Sequence, residues 1–134
     1  MTIKKTLDLV GQVKQQIDNL TVEQVKQELA GGDAILIDIR DLEERVQNGA
    51  IPGSEHVSRG MLEFAADPTL PYYRDCFRPD GRTILHCASG GRSALAVKTL
   101  KEMGYLNVAH LDGGFKAWKE AGEPIQPVSE PARA

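Results

Sequence analysis

The segment from Thr83 to Leu111 constrains the fold more than any other part of the chain. "TILHC", Thr83 to Cys87, is an apolar run of strand length; Ser93 to Met103 spaces Leu95, Val97, Leu100 and Met103 as a helix ended by Gly104; "NVAHL", Asn107 to Leu111, reads as a second strand. Two strands joined through a helix of this length cannot pair as a hairpin. They lie parallel, linked by a right-handed crossover.

The remaining segments extend that unit. "AILID", Ala34 to Asp38, is another continuous apolar run, as expected of a parallel strand covered on both faces. Ahead of it, Thr21 as N-cap, Gln24 at the capping-box position and Gly31-Gly32 as the stop predict a helix. Ile3, Leu7, Val10, Val13 and Ile17 recur at intervals of three and four, which predicts an amphipathic helix preceding the main domain despite Gly11. Between Gly49 and Asp80 the pattern is less regular. "GAIPGSEHV" carries turn chemistry at Pro52-Gly53 and then a short strand, "MLEFAADP" reads as a helix stopped at Pro68, and "TLPYYRDCFRPDGR" reads as a surface connection with a short helical piece. The fold expected is α/β: an open, mainly parallel sheet with helices on both faces and an extra N-terminal helix. Residues 1–18 form that helix, 19–127 the domain and 128–134 a flexible tail.

A chain of 134 residues suits one domain whose core needs neither disulfides nor a structural metal. Its 16 basic and 19 acidic side chains are interspersed and sum to −3, which leaves no footprint for nucleic acid or a membrane surface. The first 20 residues lack a continuous apolar run, arguing against a secretory signal or membrane span and for the cytosol. Cys76 and Cys87 show no metal spacing with the three histidines and read as free thiols; no metal or cofactor is expected.

Cys87 has an unusual setting. It ends a strand where a helix is about to begin, the place where open α/β sheets carry their chemistry. Gly90 and Gly91 let the backbone take conformations that side chains would block, so the amides from Ala88 to Ser93 can turn inward as an anion-binding nest. The helix N-terminus adds partial positive charge at the same spot, and such surroundings favour a sulfur anion.

"CASGGRS" resembles the active-site loop of the rhodanese family of thiosulfate and persulfide sulfurtransferases. "LIDIRDLEE" resembles the family's first block, "GAIPGSEHV" its second and "LDGGFKAWKEAG" its C-terminal block, so the resemblance runs from about Asn19 to Pro127. Ala50 stands where many relatives have histidine. The resemblance implies that Cys87 accepts a sulfane sulfur from a small donor as a persulfide, stabilised by the loop Ala88, Ser89, Gly90, Gly91, Arg92 and Ser93. The sulfur then passes to a thiol, to cyanide or to a sulfur-accepting protein.

Several side chains have two readings. Arg92 either meets an anionic donor with its planar fork or forms an ion pair with Asp38 or another carboxylate. Asp38 and Arg40 follow a strand end and read as a pair that braces the loop. Ser89 and Ser93 are candidate donors to the persulfide, Ser93 being equally an ordinary helix-start residue. His86 points to the opposite face from Cys87 and reads as a core histidine. Cys76 is an unactivated thiol or a resolving one, Arg59 a solvated side chain or part of the site's mouth, and Phe115 and Trp118 are core. Two further function classes are open: a phosphatase or arsenate reductase of the same fold, whose loops place five residues between Cys and Arg where this chain has four, and a non-catalytic interaction module. The chain is expected to be a monomer or a homodimer, through the N-terminal helix in the latter case.

Overall fold

The computed structural model describes residues 2–130. Five strands, β1 (Asp18–Leu20), β2 (Ala34–Asp38), β3 (Glu55–His56), β4 (Arg82–His86) and β5 (Val108–Leu111), form one sheet in the order β1-β5-β4-β2-β3. Every pairing in it is parallel. Among the described residues the helices are α1 (Thr6–Lys14), α2 (Val22–Ala30), α3 (Leu42–Asn48), α4 (Leu62–Ala65), α5 (Gly91–Glu102) and α6 (Gly114–Glu120), with a 3-10 turn at Arg59–Met61. None is long and apolar enough to cross a membrane.

Alternation along the strands divides the core. Ile37, Leu85, Cys87 and Val108 point to one face, where Ala96, Val97 and Leu100 of α5 cover them. Leu36, Ile84, Ala109 and Leu111 point to the other, against Val25 of α2 and Phe115 and Trp118 of α6. Both faces are buried, which is why these strands read as unbroken apolar runs. The capping box at Thr21 and Gln24 forms as expected.

Three expectations need correction. The N-terminal helix covers Thr6–Lys14 rather than the full stripe, and Ile3 and Leu7 are 87% and 80% exposed, leaving Val10 as its buried contact. Its early end has a visible cause: the Asn19 side-chain amide donates to the carbonyls of Lys14 (2.8 Å) and Ile17 (3.2 Å), turning the chain into β1. That strand, three residues paired to β5, was not expected. The segment 69–81 holds turns and no helix, and the helix before Pro68 is a single turn. At the C-terminus Gln126 pairs with Ala50 and residues 127–130 have no regular structure; the rest of the expected tail lies outside the described residues.

Candidate active site

Cys87 follows β4, and the chain turns through Ala88 to Gly90 before α5 begins at Gly91. The turn depends on Gly90, whose φ of 104° is one that L side chains rarely adopt. This bend brings the loop amides onto the sulfur. Cys87 Sγ, in a residue 1% exposed, accepts from the backbone N–H of Gly90 (3.2 Å) and of Ser93 (3.4 Å). It also lies 3.5 Å from the Ser93 hydroxyl. Gly91 and Arg92 are half-buried, and Ser89 stands exposed at the loop tip.

The loop is held from behind by α6. Phe115 N–H donates to the Cys87 carbonyl (2.8 Å) and Lys116 N–H to the Ala88 carbonyl (2.9 Å). Gly114 makes this approach: with φ at +61°, a Cβ there would sit 2.6 Å from the Cys87 oxygen and 2.7 Å from the Ala88 carbonyl atoms.

Beneath the loop, on the α6 face, lies a buried charge cluster. Asp38 Oδ1 accepts from Arg40 N (3.0 Å) and Nε (3.0 Å), and Oδ2 accepts from Arg40 Nη2 (2.8 Å) and Arg45 Nη1 (2.8 Å). Burial would push the Asp38 carboxyl up, but the hydrogen bonds and charge of Arg40 outweigh it and hold the group well below the usual carboxylate range. Arg40 also reaches the Gly49 carbonyl at 2.9 Å and lies over the Phe115 ring, 4.2 Å from its centroid. The cluster thereby ties β2, α3 and α6 together.

His86 joins the cluster, stacked on Phe115 and 3.7 Å from Asp38 Oδ2. Its Nδ1 meets the Cys87 carbonyl at 3.2 Å, so Nδ1 carries the hydrogen, while Nε2 has no hydrogen-bond partner. Complete burial holds the ring at about 4, neutral at pH 7.

Arg92 pairs with Glu44 through two bonds, Nη1 to Oε1 at 2.8 Å and Nη2 to Oε2 at 2.9 Å. The ion pair is made with a carboxylate from α3 rather than with Asp38. The bond to Arg92 lowers the Glu44 carboxyl and raises the guanidinium. Arg59 is engaged by Glu63 at 2.8 Å. Cys76 is a buried free thiol that burial pushes up, outweighing the opposing charge of Arg74.

On the α5 face a neutral chain runs away from the sulfur. Ser93 Oγ is 2.8 Å from His110 Nδ1, and His110 Nε2 is 2.7 Å from Asn19 Oδ1. Burial holds the His110 ring at about 4. Sequence reasoning missed Glu44, Arg45, Gly114, His110 and Asn19. Glu44 and Gly114 lie inside quoted blocks and Arg45 directly follows one, but nothing in those blocks marks their partners. His110 and Asn19 are 91 residues apart and meet only through the β1-β5 pairing.

Residues 21–121 match the model of the rhodanese-like domain. A Rhodopseudomonas palustris protein of unknown function, described as a possible tyrosine phosphatase, superposes with a TM-score of 0.86 at 40% identity, covering 94% of this chain and 98% of that one. A thiosulfate sulfurtransferase from Pseudomonas aeruginosa gives a TM-score of 0.66 at 27% identity over 85% of this chain and 21% of its own. An uncharacterized protein of Synechocystis is 32% identical over 108 residues, 78% of this chain; the chain spans about half (51%) of that relative's length.

Proposed function

The chain belongs to the rhodanese-like domain family, and on that premise we propose that it is a sulfurtransferase working through a Cys87 persulfide. The Cys87 thiolate attacks the outer sulfur of a donor such as thiosulfate; the new S–S bond forms as the donor's S–S bond breaks and sulfite leaves. Cyanide or a thiolate then attacks the outer sulfur of the persulfide, and Cys87 leaves as the thiolate. A sulfur-accepting protein fits the same step.

The observation that carries this reading is the seat of the sulfur: Gly90 and Ser93 amides converge on Cys87 Sγ within a loop of four residues between Cys87 and Arg92. Backbone donors fixed around a sulfur stabilise negative charge on it without reorganisation. In this reading the segment Ala88 to Ser93 cradles the persulfide, Arg92 braces the cradle on Glu44, and Asp38 with Arg40 supports it from below. We assign the chemistry to residues 19–127, with the N-terminal segment lying on α5, and the two free thiols fit a reducing cytosol.

The description of the Rhodopseudomonas neighbour makes phosphate-ester hydrolysis the competing reading. A four-residue loop favours sulfur, since a tetrahedral oxyanion needs the wider cradle of five. Intact mass spectrometry before and after thiosulfate decides between them: one added sulfur atom, removable by cyanide, absent in Cys87→Ser and retained in Cys76→Ser. Turnover of p-nitrophenyl phosphate without a sulfur adduct would overturn the proposal.

A further inference from the structure

The hydrogens along the chain Cys87, Ser93, His110 and Asn19 can be assigned one by one. Asn19 Nδ2 donates to two carbonyls, those of Lys14 and Ile17, so its Oδ1 is the atom that faces His110 at 2.7 Å. An amide oxygen only accepts, which puts the hydrogen of a neutral His110 on Nε2 and leaves a lone pair on Nδ1. The Ser93 hydroxyl has one hydrogen and three acceptors in reach, His110 Nδ1 at 2.8 Å, the Gly90 carbonyl at 3.3 Å, which already accepts from Ala94 N–H at 3.1 Å, and Cys87 Sγ at 3.5 Å. The shortest, unshared acceptor takes it.

What is left for the sulfur is the lone pair of Ser93 Oγ. A Cys87 S–H can donate to it across 3.5 Å, whereas a thiolate meets only the amides of Gly90 and Ser93 there. Cys87, Ser93 and His110 are all buried, and Asn19 at the far end of the chain is half-buried. The charges around His110, Lys14 and Asp112, offset one another in an ion pair at 2.7 Å.

We propose that His110, locked by Asn19 in the Nε2–H form, is a positioning residue that withholds the Ser93 hydroxyl hydrogen from Cys87 and so restrains the resting sulfur toward the thiol. The inference rests on Cys87 being the reacting sulfur, but its test needs no sulfur transfer. In the unaltered protein, nitrogen chemical shifts must show His110 protonated on Nε2 and bare on Nδ1 at neutral pH; the opposite tautomer overturns the assignment.

Cys87 alkylation by iodoacetamide at a fixed pH tests the consequence, in a Cys76→Ser background. His110→Leu removes the acceptor and frees the hydroxyl to donate to the thiolate, raising the rate on the order of tenfold, the scale of one hydrogen bond to a charged group. Asn19→Leu, which leaves the imidazole in place but frees its tautomer, should act in the same direction. With Ser93→Ala the effect of either change should vanish, because the hydroxyl that carries it is gone. A slower or unchanged rate in both single variants, or an equal gain without the hydroxyl, overturns the proposal. Failure to take up sulfur from thiosulfate would count against the transferase reading and leave these results standing.

Discussion

Gly114→Ala should loosen the seat of Cys87 without touching any group that does chemistry. The added Cβ would fall 2.6 Å from the Cys87 oxygen and 2.7 Å from the Ala88 carbonyl carbon and oxygen, all backbone atoms that cannot rotate aside. Alanine at a φ of +61° adds roughly 1–2 kcal/mol of left-handed strain. Relief requires α6 to retreat from the loop, which lengthens the bonds from Phe115 N–H (2.8 Å) and Lys116 N–H (2.9 Å). At about 1 kcal/mol for each, the total is on the order of 3–4 kcal/mol. A small domain with about 5–15 kcal/mol of stability stays folded through that loss. Urea unfolding measures it, and the rate of sulfur uptake by mass spectrometry reports the displaced amides. Gly91→Ala is the control, because its Cβ meets nothing nearer than Val10 Cγ2 at 4.0 Å and its φ needs no glycine. A Gly114→Ala protein within about 0.5 kcal/mol of the parent, with unchanged uptake, would refute this account of how the loop is held.

Two further outcomes are expected. Since Arg92 is occupied by Glu44 in a half-exposed pair, and such pairs contribute roughly 0–1 kcal/mol, Arg92→Ala should lower kcat/KM for thiosulfate by no more than about fivefold. A loss of about a hundredfold, the scale of a charged hydrogen bond, would mean that the guanidinium leaves Glu44 to bind the donor. Stability should fall as pH drops from about 6.5 toward 4, because His86 and His110 are both held at about 4 and the unfolded chain takes up protons first. The loss is on the order of 2–3 kcal/mol per histidine and is complete below about pH 4, where the depressed Asp38 carboxyl begins a second decline. Urea midpoints at pH 7 and pH 5 check it, and equal midpoints would be inconsistent with buried neutral rings.

What could be read from the sequence follows the range of the interactions. β2, β4, α2 and α5 are specified by apolar periodicity and caps within each segment, and the turn after Cys87 by its own glycines. β1 has no such signature: "DNL" is a strand only because β5 stands beside it. The connection 69–81 reads as a surface segment with a short helical piece, yet Phe77 is buried in the core and the backbone is set by turns. In the site the same division holds. Cys87 and its loop were legible because the loop is local, and the Asp38–Arg40 pair because its members lie two positions apart. Partners from other elements, Glu44 for Arg92 and His110 for Ser93, were not, since neither spacing nor composition marks a side chain that meets its partner 48 or 17 positions away.

The two faces of the sheet explain why these partners differ in kind. Asp38 and His86, opposite one another in the β2-β4 register, share the face that α6 covers, and Arg40 and Arg45 are drawn to it. Cys87, one residue beyond His86, points to the face under α5, which brings Ser93 beside the sulfur and His110 behind Ser93, while the charge of Arg92 is paired with Glu44. The buried arginines therefore act through the backbone that they brace, and an anionic sulfur is left to the amides of Gly90 and Ser93. An ion pair at that position would hold a sulfur anion in a fixed partnership, whereas in the proposed transfer the neutral amides stabilise the charge on the thiolate or persulfide without pairing it.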